Sequence, residues 1–120
     1  MGDRSGGNPR RANGYRRDQT VRWLRAQGRP CWICRAFGRS GAIDYSLPAG
    51  HPFAFECDEL VPVSRGGSPF SRTNVDAAHR CCNQWRGARS VEEVYAIALG
   101  GQRTPPRTDT VKGVTSDLGD

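Results

Sequence analysis

The sequence predicts a small α+β domain, and three observations carry that prediction. FAFEC (53–57) alternates apolar and polar residues, which puts Phe53, Phe55 and Cys57 on one face of a half-buried strand. SVEEVYAIAL (90–99) opens on Ser90 with Glu93 three residues on and spaces Val91, Val94, Tyr95 and Ala98 at i, i+3, i+4 and i+7. That is a capped helix with one face to pack. Two short pairs, Cys31-x-x-Cys34 and His79-x-x-Cys82, bracket the middle of the chain.

Taken in order, residues 1–17 (MGDRSGGNPRRANGYRR) are rich in Gly, Asn and Arg without periodicity and read as a flexible basic arm. Asp18 caps a short helix, DQTVRWLRAQ, which turns Val21, Leu24 and Trp23 inward and stops at Gly28 and Pro30. CWIC (31–34) makes a tight turn, and GAIDYSLPAGHP (41–52) reads as a short strand and a turn. After FAFEC, SRGGSPFSRTN (64–74) is a loop punctuated by Gly and Pro. HRCCNQWRG (79–87) is helical and ends at Gly87, and the capped helix ends at Gly100-Gly101. The Thr/Pro/Gly/Asp-rich remainder reads as disordered. The expected organisation is a basic arm at 1–17, a domain at 18–100 and a disordered tail at 101–120.

The chain has 120 residues, 36% of them hydrophobic, and a mean hydropathy of −0.68. A core that small needs a staple. The net charge is +6, from 18 basic against 12 acidic residues, and Lys112 is the one lysine. Arginine forms bidentate contacts to phosphate, so the composition points to an anionic polymer as partner. No run approaches a membrane span and no signal peptide opens the chain, so a cytoplasmic protein with no membrane partner is expected. In a reducing compartment cysteines serve as ligands rather than disulfides, and five of them cannot all pair.

A CxxC turn offers two sulfurs to one metal ion and needs a second pair to complete a tetrahedron. On a helix, residues three apart share a face whereas 79 and 81 diverge. The expected set is therefore Cys31, Cys34, His79 and Cys82, holding a structural zinc that ties a turn to a helix and contributes directly to folding. Cys57 reads as core and Cys81 as a spare thiol. Trp32 and Trp85, beside the ligands, read as shields for the sulfurs.

The stretch FECDELVPVSRGG (55–67) ends an apolar run in two adjacent acids, Asp58 and Glu59. Asn83 follows the proposed ligand Cys82. A carboxylate and an amide oxygen make a hard partial shell suited to Mg²⁺ or Mn²⁺. Strict alternation sends Asp58 and Glu59 to opposite faces, so both reach one site only where the strand ends, twists or bulges.

Over residues 30–88 the pattern CxxC, then Asp58-x-Leu60-Val61-Pro62-x-Ser64-x-Gly66-Gly67, Asn74, and His79-x-x-Cys82-Asn83-x-x-Arg86-Gly87 resembles the HNH endonucleases, in their small zinc-bound phage and bacterial form. The resemblance implies a ββα-metal fold and metal-dependent hydrolysis of DNA phosphodiesters leaving 5′-phosphate and 3′-hydroxyl ends. It implies that Asp58 and Asn83 bind the catalytic Mg²⁺ or Mn²⁺, and that Asn74 orients the loop bearing the base. It also implies DNA as partner, with phage terminase or other packaging proteins beside it. The family usually has a histidine base after the metal-binding Asp, and here Glu59 stands in that place. Glu59 could act as the base, or ligate the metal while a metal-bound hydroxide attacks, or cede the role to His51. Arg65 and Arg86 are expected at the phosphate, with Arg10, Arg11, Arg16 and Arg17 along the nucleic acid. The alternative is a zinc-stapled nucleic-acid-binding module whose HNH site is degenerate and cuts nothing.

Overall fold

The computed structural model describes residues 9–101 and 103–108. They form α1 (Pro9–Gln27), α2 (Trp32–Ala36), strand β1 (Phe55–Glu59), a 3-10 turn (Val63–Arg65), strand β2 (Val75–His79), α3 (Arg80–Arg86) and α4 (Val91–Gly100). The expected α+β class stands, and β2 runs straight into α3.

Helix α1 is longer than the sequence suggests. It starts at Pro9 rather than at Asp18, so 9–17 belong to a helix and not to a flexible arm. Proline is tolerated in a first turn because the N–H it lacks has no partner there anyway. The far end follows expectation: Gly28 has φ +64° and donates its N–H to Arg25 O at 3.2 Å. Leu24 is fully buried where α1 lies on both strands. Thr20 adds a tie, its hydroxyl donating to Phe70 O at 2.7 Å. Trp23 is half-buried between the guanidinium groups of Arg29 and Arg72, 5.3 and 4.7 Å from the ring centre.

Strands β1 and β2 pair antiparallel, Phe55 with His79, Cys57 with Ala77 and Glu59 with Val75. The first strand is displaced two residues towards the C-terminus from the FAFEC segment that predicts it. The second has no alternating apolar signature: VDAAH carries two alanines, and its pairing partner and burial decide its conformation. The stretch 41–52 contains no strand. Asp44 Oδ1 accepts from the Ser46 N–H and hydroxyl, at 3.0 and 2.6 Å, and further turns follow at Pro48 and His51. Asp, Pro and Gly favour such local bonding over a ladder.

The core is small and sulfur-rich: Cys31, Trp32, Ile33, Cys34, Ala78, Cys82 and Val94. Helix α4 closes it through Val94, its start fixed by the expected reciprocal bonds between Ser90 and Glu93, at 3.0 and 2.7 Å. Tyr95, expected to pack, is about half exposed and leans on Trp32 at 6.1 Å. Phe37 meets Trp85 edge-on at 5.6 Å. In the tail, Pro105 is buried, and residues 102 and 109–120 lie outside the described residues.

Candidate metal cluster and the acidic cleft

Cys31 and Cys34 flank and enter α2. Cys31 caps the helix, its sulfur accepting from the Cys34 N–H at 3.4 Å. Gly41 fastens the turn from behind: its carbonyl accepts from Cys31 N–H at 2.7 Å. It has φ +74°, and a side chain there would bring Cβ within 2.8 Å of the Cys31 carbonyl. His79 ends β2 and Cys82 lies one turn into α3, so strand-to-helix continuity sets that second pair.

All four residues are buried, and their ligand atoms lie within 4.8 Å of one another. Cys34 Sγ is 3.7 Å from Cys82 Sγ and 3.5 Å from His79 Nδ1, and Cys82 Sγ is 3.8 Å from the same nitrogen. A tetrahedron with metal–sulfur bonds of about 2.3 Å and metal–nitrogen bonds of about 2.0–2.1 Å has edges near 3.8 and 3.6 Å. The cluster therefore has the dimensions of a four-ligand metal site. His79 Nε2 is 2.9 Å from Ala42 O. A carbonyl only accepts, so Nε2 carries the proton and Nδ1 faces the sulfurs. Burial disfavours charge on this imidazole, but the neighbouring Cys31 and Cys34 sulfurs outweigh it and raise its pKa to about 10. Cys34 is held well below the usual thiol range by bonds from Cys31 and Cys82. Cys82 is pushed the opposite way by Cys31 and Cys34, so the sulfurs share their protons as one coupled group. Cys81 stands outside the cluster, as expected, its N–H bonded to Pro52 O at 2.8 Å.

The second feature is a cleft of about 280 Å³ where the end of β1 meets α3. Asp58, Glu59 and Asn83 all line it, together with Arg17, Arg86 and Arg89. Glu59 is the last residue of β1, so the strand end resolves the expected conflict of faces. Asp58 is buried, and its Oδ2 accepts from Trp32 Nε1 at 2.8 Å and Arg86 Nη1 at 2.7 Å. Burial raises the Asp58 pKa, opposed by the indole N–H and by Arg86. Asn83 Nδ2 donates to Glu56 Oε1 at 3.0 Å. Among the described residues no hydrogen bond reaches Asp58 Oδ1 or Asn83 Oδ1. Glu59 pairs with Arg17, Nε to Oε2, at 3.6 Å.

Asn74, expected to orient the loop after the acids, clamps it. Its Oδ1 accepts from Val61 N–H at 3.0 Å, and its Nδ2 donates to Val61 O at 2.8 Å and Ser68 O at 2.9 Å. The Gly-Gly turn makes this fit possible. Gly66 has φ +92°, and a Cβ on Gly67 would sit 1.7 Å from Val61 O.

Arg86 departs from expectation. It is buried, with Nη1 donating to Asp58 and to Glu59 O (3.1 Å), Nη2 to Leu60 O (2.6 Å) and Nε to Arg89 O (2.8 Å). A guanidinium so occupied is a brace rather than a phosphate contact. Arg65 is exposed and donates to Ala88 O at 3.1 Å. Arg16 is exposed over the Phe70 ring at 4.0 Å. Arg10 and Arg11 lie in the first turns of α1, with side chains outside the described residues. His51 lines a different cavity, beside His79, and accepts from Phe53 N–H at 3.0 Å. Two contributors are not evident from the sequence: Glu56, which holds Asn83 and meets Arg80 at 3.4 Å, and Trp32 as the donor to Asp58. The period-2 spacing of Glu56 and Asp58 on β1 is the available signal for Glu56.

No family model, curated protein or solved structure matches the chain. Among the described residues no helix is long and apolar enough to cross a membrane.

Proposed function

We propose that this protein is a metal-dependent endonuclease of the HNH type acting on DNA, with a structural zinc at Cys31, Cys34, His79 and Cys82. The observation that carries the reading is the convergence of Asp58, Glu59 and Asn83 on one cleft at the junction of β1 and α3. Two oxygens there, Asp58 Oδ1 and Asn83 Oδ1, take no hydrogen bond among the described residues and are of the hard type that Mg²⁺ or Mn²⁺ prefers. Held by Asp58 and Asn83, such an ion would supply Lewis-acid chemistry to a phosphate and its attacking water. Glu59, at the strand end, accepts the proton of the attacking water. A carboxylate can accept a proton and so can serve as a base, though a weak one. Arg17 and Arg89 line the cleft and supply positive charge to the phosphate, while Arg86 braces Asp58 from the protein side. Asn74 keeps the following loop from drifting across the cleft.

The test is nicking of supercoiled plasmid with Mg²⁺ or Mn²⁺. Asp58→Asn is the appropriate variant, because its one amide oxygen can still accept from both Trp32 and Arg86 where alanine would strand both donors in the core. Wild type is expected to nick, and Glu59→Gln to lose about 10²–10⁴-fold, the usual weight of a general base. Equal nicking by wild type, Asp58→Asn and Glu59→Gln would refute the reading.

One observation favours the rival, a module that binds nucleic acid without cutting it. Asp58 already has a structural role, holding Trp32 and Arg86 in the core. DNA binding that persists in EDTA, with no nicking under any divalent metal, would select the rival. A large gain of activity in Glu59→His would show the cleft competent but under-equipped.

A further inference from the structure

We propose that the segment 103–108 is a cover over the metal cluster, latched by Arg39, and that metal exchange requires it to lift. Arg39 is coupled to the cluster through the backbone, since its N–H donates to Cys34 O at 2.9 Å. Its Nη1 donates to Pro105 O at 3.0 Å and to Pro106 O at 2.9 Å. Pro105 is fully buried although the segment has neither helix nor strand. Prolines suit such a cover, because their fixed φ lowers the cost of ordering an extended run that can be gripped by its carbonyls. Thr108 then arrives at the cluster, with Oγ1 3.6 Å from Cys34 Sγ. It also lines, with His79, His51, Phe53 and Ile43, the cavity of about 350 Å³ beside the cluster.

The chemistry follows from the sulfur. The Thr108 hydroxyl lies close enough to Cys34 Sγ to donate to a thiolate there and so hold it in place as a ligand. Cys34 is fully buried, and the segment places Thr108 against its sulfur on the side of the neighbouring cavity. The cover therefore governs the rate of metal loss more than the shape of the fold.

Full-length protein loaded with Co²⁺ tests this, because tetrahedral cobalt bound to thiolates absorbs visibly and reports the metal without any activity assay. Release into excess EDTA is followed by loss of that absorption. Arg39→Ala and Thr108→Val are expected to keep the cobalt spectrum and to release metal about tenfold faster, the lower end of the effect usual for groups that support metal ligands. Arg103→Ala, in the same segment but exposed, is expected to release at the wild-type rate. Thermal melts of the loaded variants should match wild type. The cover is overturned if Arg39→Ala and Thr108→Val release within twofold of wild type. It is overturned too if faster release comes with a matching fall in melting temperature, or if wild type yields no tetrahedral cobalt spectrum.

Discussion

Arg86 Nη1 lies 2.7 Å from Asp58 Oδ2, and both side chains are almost completely buried, at 4% and 7% exposure. The pair joins α3 to β1 under the acidic cleft. The guanidinium also satisfies three backbone carbonyls at the turn out of β1 and the end of α3, so removal leaves a buried carboxylate and several carbonyls unpaired. Arg86→Ala should cost about 3–5 kcal/mol, the penalty typical of an orphaned buried charge. Arg86→Lys should recover only part of it, since an ammonium cannot reproduce the fork. Denaturant unfolding of metal-loaded protein measures both. A loss below about 1 kcal/mol for Arg86→Ala would show that the pair is a surface ion pair in effect.

The loop after Glu59 depends on Asn74 and Gly67 together. Asn74 bonds Val61 through both ends of its amide, and the Gly67 backbone passes so close that no Cβ fits. Gly67→Ala should destabilise by more than about 2 kcal/mol, because the obstacle is backbone rather than a mobile side chain. Gly66→Ala should cost about 1 kcal/mol, since Gly66 has open space and its only penalty is the positive φ. A melting comparison of the two variants checks the order, and Gly66→Ala being the worse would contradict the close approach at Gly67.

The Cys/His cluster was legible in the sequence because ligand spacing encodes geometry: CxxC fits a helix cap, and HxxC fits a pair of ligands at the start of a helix, although His79 turns out to end β2 rather than to lie within α3. Asp58, Glu59 and Asn83 reaching one cleft was legible for a similar reason, through the fixed offset between Cys82 and Asn83. The missed parts depend on partners distant in sequence. The VDAAH strand is made by its neighbour, not by its own propensity. Arg86 looks like any surface arginine until Asp58, Glu59, Leu60 and Arg89 surround it. The helical character of 9–17 was hidden by Gly14 and Asn13, both poor helix formers.

Metal removal should unfold the domain, because the residues that would hold the ion are also the core. Cys31, Cys34 and Cys82 belong to the same buried cluster as Ile33 and Val94. Without a cation, the anionic sulfurs and His79 remain buried at a cost that hydrophobic contacts of this size cannot offset. Chelation is expected to abolish the cooperative thermal transition, and Zn²⁺ to restore it. Cys34→Ser should behave like the chelated protein, whereas Cys81→Ser should melt like wild type. An unchanged transition in EDTA would show that the core stands without its staple.

Cys57 provides the pH prediction. It sits on β1 opposite Ala77, lines the acidic cleft, and burial pushes its thiol up to about 11 from an ordinary 9. Arg17 opposes the rise, while Glu59, Asp58 and Asp76 reinforce it. The folded state thus holds this proton more tightly than the unfolded chain. The stabilising contribution is complete below pH 9 and is lost as pH rises from about 9 towards 11. Reactivity follows the thiolate, which is about a hundredfold scarcer at pH 8 than in an unperturbed cysteine with the same access. Iodoacetamide should therefore label Cys57 slowly in the metal-loaded fold and rapidly after unfolding, as read by mass spectrometry of the peptide. Glu59→Gln removes one of the charges that raise the thiol and should quicken labelling modestly. Labelling of folded protein at the rate of a free thiol at pH 8 would show that Cys57 faces water rather than the interior.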